Sequence, residues 1–137
     1  MMAFGRAYGG VAAYRQLGIE TSVKSADPHA LIVLLFEGAE AAINLAKGKM
    51  LENDIPAKGK ALSQAIQIVT NGLRVSLDIE AGGEMAERLA ALYEYIAARL
   101  LWANLKNDVA ALDEALFLLG EIHSAWTEIA PNKRAGS

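Results

Sequence analysis

A chain of 137 residues with a net charge of −3 is long enough for one domain with a buried core and too acidic for a phosphate-neutralising nucleic-acid surface. Its hydrophobic fraction of 53% is high for a soluble domain, and its zero cysteines exclude disulfides and thiolate metal sites and fit a cytoplasmic setting. No apolar run approaches the roughly 18 uncharged residues a membrane span needs, since Leu31 to Phe36 is bounded by His29 and Glu37. The start, Met1-Met2-Ala3-Phe4-Gly5-Arg6, lacks the basic region and continuous apolar block of a secretory signal.

Residues 1–26 read as a short mobile N-terminal segment. Phe4, Tyr8, Val11 and Tyr14 recur every three or four positions among glycines, a weak amphipathic helix able to lie in a groove as a loosely held lid. A disordered or expression-derived start is the alternative for the first few residues.

Four helices follow over residues 27–130. Asp27 caps the first and Pro28 suits its first turn; Ile32, Leu35/Phe36, Ala39, Ile43, Ala46 and Met50 form its buried stripe. Glu52-Asn53-Asp54-Ile55-Pro56 breaks the pattern. The second helix carries Leu62, Ile66, Val69, Leu73 and Leu77, and is expected to end at Gly82-Gly83, where positive φ is tolerated. The third carries Met85, Leu89, Leu92, Ile96, Leu100 and Ala103 up to a Lys106-Asn107-Asp108 turn capped by Asn107. Leu112, Ala115/Leu116, Leu119, Ile122, Trp126 and Ile129 mark the fourth, and Pro131 is expected to stop it before a disordered tail over residues 131–137. Helices of this length joined by short turns predict an all-α, antiparallel up-down four-helix bundle.

Two helices carry a further seam. On the second it runs Ala61, Ala65, Ile68, Gly72 and Val75; on the third, Ala86, Ala90, Tyr93, Ala97 and Leu101. Each helix of a bundle touches two neighbours, which alone accounts for some of these positions. Taken as a pair, the small-residue seams favour a groove for a further helix. Val11, Tyr14, Ala65, Ile68, Gly72, Val75, Ala90, Tyr93, Ala97 and Leu101 are therefore the candidate partner-binding residues.

Catalytic patterns are absent from the sequence. Carboxylate-bridged metal bundles need Glu-x-x-His, but Ala26 and Gly120 stand three residues before His29 and His123. His123 lacks the lysine or glycine neighbours of a phosphotransfer histidine, no Gly-x-Ser-x-Gly elbow occurs, and Gly82-Gly83 follows no strand. Trp102 and Trp126 read as core or core-rim residues. The chain is expected to be no enzyme and to need no cofactor.

Several segments, in order, resemble the flagellar secretion chaperone FliS family. They are Ser25-Ala26-Asp27-Pro28-His29-Ala30-Leu31-Ile32, Leu35-Phe36-Glu37-Gly38-Ala39, Lys60-Ala61-Leu62 through Ile66, Ser76-Leu77-Asp78 with Gly82-Gly83-Glu84, Leu92-Tyr93-Glu94-Tyr95, Ala103-Asn104 and Ala125-Trp126. Asp27 replaces a common serine, and Phe36-Glu37 replace Tyr-Asp, with the cap and the aromatic core residue kept.

The resemblance implies a cytoplasmic bundle that holds the disordered C-terminal segment of flagellin, prevents premature polymerisation and assists delivery to the type III flagellar export apparatus. It places the family's N-terminal tyrosine motif at Tyr14, with Val11 one turn earlier. The alternative from a different class is a structural bundle whose extra seams meet in a homodimer. Neither reading involves membrane insertion or nucleic acid.

Overall fold

The computed structural model describes the backbone of residues 27–136 and the side chains of residues 27–128, so Val11 and Tyr14 lie outside the described residues. The described chain consists of helices joined by short turns. Helix α1 spans Pro28–Leu51, α2 spans Ile55–Gln67 and continues as a π-helix over Ile68–Arg74, α3 spans Ile79–Lys106, and α4 spans Val109–Gly136. Among the described residues there is no strand.

Each start is written locally. Asp27 accepts the Ala30 backbone N–H at 2.8 Å, Asp54 the Ala57 N–H at 3.2 Å, Asp78 the Ala81 N–H at 3.1 Å and Asp108 the Ala111 N–H at 3.3 Å. One carboxylate thus satisfies a free donor at every N-terminus and complements the helix dipole. Helix α3 closes on Asn107 in the left-handed conformation, φ 56°.

Cross-links between helices give the topology. Lys47, late in α1, pairs with Asp113, early in α4, at 2.8 Å. His29, at the start of α1, meets Trp126 near the far end of α4. Lys58, early in α2, reaches the Asn104 carbonyl at 3.0 Å and the Asn107 side chain at 2.9 Å, both late in α3. Successive helices therefore run antiparallel, with α4 returning beside α1: an up-down four-helix bundle.

The core fills the space between them. Leu35, Phe36, Ile43, Leu62, Ile68, Val69, Leu73, Ile96, Leu100, Leu112 and Leu119 are essentially inaccessible. Each such apolar side chain stabilises the fold by about 1.5–3 kcal/mol on burial. An 18-residue window of α1 has a mean hydropathy of 1.4, long and apolar enough on composition to cross a membrane. Its Leu35, Phe36, Ala39, Ile43, Ala46 and Met50 are instead spent on the bundle core.

Two boundaries differ from the sequence expectation. The second helix ends at Arg74, not at Gly82-Gly83: Asp78 starts a new helical turn, and the chain breaks inside α3 at Gly83, φ 57° and ψ −135°. A capping aspartate outranked the glycine pair as the boundary signal, while the glycine took the conformation that only glycine adopts without strain. The fourth helix also passes Pro131 and continues to Gly136. Proline inside a helix removes a single N–H bond and kinks the helix, a loss the remaining turns offset here.

Candidate functional site

In an up-down bundle the starts of α1 and α3 share one end with the ends of α2 and α4. Among the described residues that end is left open. A cleft of about 560 Å³ sits there, overwhelmingly apolar in its walls. Ile32 comes from α1; Leu73, Ser76 and Leu77 from the π-helix and the turn after it; Met85, Leu89 and Tyr93 from α3; Glu121, Ile122, Ala125 and Trp126 from α4.

Local structure explains why it stays open. The i→i+5 turns of the π-helix hold more residues than α-helical turns, so adjacent pairs face inward: Ile68 with Val69, and Gly72 with Leu73, are all buried. A Cβ on Gly72 would stand 3.1 Å from a Leu35 methyl, so the missing side chain lets α1 and the π-helix close up. The break at Gly83 then sets the direction of the first turn of α3, whose Ile79 is 41% and Met85 67% exposed. Large apolar residues that continue the core stripes therefore reach a level where no opposing helix among the described residues covers them.

Aromatic groups build the wall and floor. Trp126 stacks on His29 with ring centroids 5.1 Å apart and planes 14° from parallel. Its indole N–H donates to the His29 carbonyl at 3.3 Å, while His29 Nε2 donates to the Trp126 carbonyl at 3.1 Å. Deeper in, Phe36 stacks on His123 at 5.1 Å, and His123 Nδ1 lies 3.1 Å from Glu40 Oε2. Tyr93 tilts at 51° against Phe36. It is only 3% exposed, and burial pushes its hydroxyl well above the usual phenol range, so it stays neutral.

A second apolar surface lies on the outer face of α3. Tyr95, Leu101, Trp102 and Leu105 are 45%, 51%, 44% and 71% exposed. Polar contacts trim part of it: Tyr95 donates to Glu114 at 2.5 Å, the Trp102 indole donates to Asp108 at 3.2 Å, and Lys106 Nζ sits 5.4 Å from the Trp102 ring centre.

The sequence-derived seams are divided by this arrangement. Ala61, Ala65, Ile68 and Gly72 are buried in the core, so the second-helix seam is not an open groove. Both its stripes point inward: adjacent pairs are buried in the α-helical part, Ala61 with Leu62, and in the π-helix, Ile68 with Val69 and Gly72 with Leu73. Val75 is half-buried in the turn beyond the π-helix; Ala90 and Ala97 are half-buried on α3, Ala97 against the core. Among the described residues, Tyr93 alone of those predicted lines the cleft. Leu101 is exposed on the other surface. Leu73 is a core residue, as its spacing predicts, and also borders the cleft; Leu77, Met85, Leu89, Ile122 and Trp126 continue the core stripes into the cleft wall, and the clustering of large residues at one end of all four stripes is the signal that marks it.

No group of three or more histidine and acidic residues able to hold a metal ion occurs among the described residues. The cleft offers shape, apolar area and one buried hydroxyl.

Comparison with known proteins is consistent across nearly the whole chain. Residues 10–133 match the family model described as flagellar protein FliS. A protein of Salmonella typhimurium named flagellar secretion chaperone FliS is 48% identical over 122 residues, 89% of this chain and 90% of the relative. Its Escherichia coli namesake is 46% identical over 87% of this chain and 88% of the relative. The Pseudomonas aeruginosa flagellar secretion chaperone FliSB is 46% identical over 85% and 92%.

Proposed function

This chain belongs to the flagellar protein FliS family, a family of secretion chaperones and not of enzymes, and we propose that its client is the C-terminal segment of flagellin. In this reading the cytoplasmic protein holds that segment, keeps newly made flagellin from polymerising and presents it to the flagellar export apparatus. The observation that carries it is the apolar cleft of about 560 Å³ at the open end of the bundle.

The physics supports a folding client. A disordered segment that becomes helical on binding gives up roughly 2–5 kcal/mol or more in ordering and needs apolar burial to offset it. Recognition of a helix in a groove supplies that burial through anchors at i, i+3, i+4 and i+7. The cleft has the volume of a small-molecule pocket, about 300–1,000 Å³, so it receives a few anchor side chains and not a whole helix. The exposed half of the contact then extends along the outside, over half-buried Val75, Ala90 and Ala97 or the Leu101 face. Binding needs no nucleotide and no covalent step.

The test is titration of the chain with a synthetic peptide of the flagellin C-terminus, followed by calorimetry and circular dichroism. Saturable binding with a gain of helix is expected. Absence of binding at high micromolar peptide sinks the reading.

A second reading, self-association, is favoured by one observation: the outward row of Tyr95, Leu101, Trp102 and Leu105 on α3. Sedimentation over a hundredfold concentration range separates the two. A dimer that persists unchanged when flagellin is added favours the second.

A further inference from the structure

Tyr93 presents a mismatch between its side chain and its surroundings. It lines the cleft, is 3% exposed, and its ring lies against Phe36. Yet its hydroxyl has no hydrogen-bond partner among the described residues, whereas Tyr95, two positions on, donates to Glu114. Buried hydroxyls are nearly always paired, and one left alone costs free energy that a phenylalanine of the same shape would avoid. A polar group held at such a cost in an apolar wall is suited to a partner that arrives from outside.

The chemistry of the wall narrows that partner. We infer that the Tyr93 hydroxyl, at the buried side of the cleft lined by Leu73, Leu77, Leu89 and Ile122, hydrogen-bonds the carboxamide oxygen of an asparagine or glutamine on the apolar face of the bound client helix. This rests on the client reading above and adds what selects the register. A neutral phenol is the stronger partner as donor, so the client group is an acceptor. A carboxylate is disfavoured, because burying a charge among aliphatic side chains is costly and the single ionisable residue lining the cleft besides Tyr93 is Glu121, itself acidic. Backbone carbonyls inside a helix are already used by its own N–H groups. Of the neutral side-chain acceptors left, a serine or threonine hydroxyl is short and is commonly engaged with its own helix's i−4 carbonyl. A side-chain carboxamide, longer and with two lone pairs on its oxygen, is the one that fits, flanked by apolar anchors one turn away on either side.

Such an arrangement gives specificity more than affinity. A purely apolar helix can fill the cleft in several registers, and sliding by one turn changes little. One hydrogen bond at a fixed depth rejects every register that leaves the hydroxyl facing a methyl group, since the buried donor then stays unpaired.

The experiment uses the full chain, its Tyr93→Phe variant, and flagellin C-terminal peptides in which each glutamine is changed to methionine and each asparagine to leucine, one at a time. The free Tyr93→Phe protein is expected to melt at the same temperature as the parent or slightly higher. Its affinity for the unaltered peptide is expected to fall roughly tenfold, and one carboxamide-substituted peptide is expected to bind parent and variant equally. A melting temperature lowered by several degrees overturns the inference, because the hydroxyl then has a partner within the chain. Equal binding of the unaltered peptide by both proteins overturns it too and leaves the client reading standing. So does a tenfold loss that no single carboxamide substitution removes. If the parent binds no peptide at all, the client reading falls and this inference with it.

Discussion

His29 and Trp126 hold each other twice over: their rings stack at 5.1 Å, and each donates a ring N–H to the other's backbone carbonyl. The two residues are 97 positions apart and close the α1–α4 seam beside the cleft. Trp126→Phe keeps a ring for stacking but removes the indole donor, leaving the His29 carbonyl without it. A loss of about 1–2 kcal/mol is expected, seen as a fall of several degrees in the thermal melt followed by circular dichroism. An unchanged melt shows that the indole bond contributes nothing.

Lys58 is the single buried charged residue of the described core, at 4% exposure. Its ammonium ties the start of α2 to the Asn104 carbonyl and the Asn107 side chain, where the C-terminal carbonyls of α3 carry partial negative charge. Lys58→Met keeps most of the volume and strips both bonds. The urea midpoint is expected to shift by the equivalent of about 1–3 kcal/mol. Full retention of the midpoint makes the lysine a passive filler.

Ile68 and Leu101 both belong to the small-residue seams, but their burial differs: 1% against 51%. Ile68→Asp forces a carboxylate into the core and is expected to unfold the bundle, with a cost above about 4 kcal/mol. Leu101→Asp is expected to change stability by less than about 0.5 kcal/mol and to act only on association. Far-ultraviolet circular dichroism of the two variants settles the contrast, and a folded Ile68→Asp protein contradicts the burial of that seam.

Gly83 and Gly59 make a matched pair, since an added Cβ meets nothing within 4 Å at either position. Only Gly83 has positive φ, at 57°. Gly83→Ala is expected to destabilise by about 1–3 kcal/mol through backbone strain alone. Gly59→Ala, inside α2, is expected to stabilise by roughly 0.5–1 kcal/mol. Effects of the same sign in denaturant melts refute this division.

Glu114 accepts from the Tyr95 hydroxyl and from Arg99, with Arg99 Nε at 2.7 Å, and these contacts hold its carboxyl below the usual glutamate range, the tyrosine bond being the larger cause. A depressed acid contributes stability that is present above its unfolded value and lost as pH falls through the folded one. The α3–α4 contact is therefore intact at neutral pH and weakens as Glu114 is protonated in acid. Carboxyl titration by nuclear magnetic resonance is expected to show Glu114 late in acid, and Tyr95→Phe to move it back upward. The same bond raises the Tyr95 hydroxyl, so its contribution is lost only as pH climbs past the ordinary phenol value.

The helices were legible because their signals are local. Asp27-Pro28 started α1 where expected, and Asn107 ended α3. The stripes Leu35/Phe36, Ala39, Ile43, Ala46 and Leu112, Ala115, Leu119 are the buried faces that their spacing predicts. The end of the second helix was misplaced because Asp78 and Gly83 offer rival boundary signals five residues apart, and only the local hydrogen bonds rank them. The π-helix left no periodic mark at all. Ile68/Val69 and Gly72/Leu73 looked like two separate seams, one for the core and one for a partner, when a wider turn puts both inside.

The one-dimensional order of residues, by itself, determined four amphipathic rods, their capped ends, the antiparallel order that short turns impose, and membership of a chaperone family. Those properties depend on neighbours within a few positions or on motifs kept in order. Which apolar surface remains uncovered was decided only in three dimensions. Exposure depends on whether an opposing helix reaches the same level, and that follows from the π turns after Gln67, the break at Gly83 and the His29–Trp126 clasp acting together.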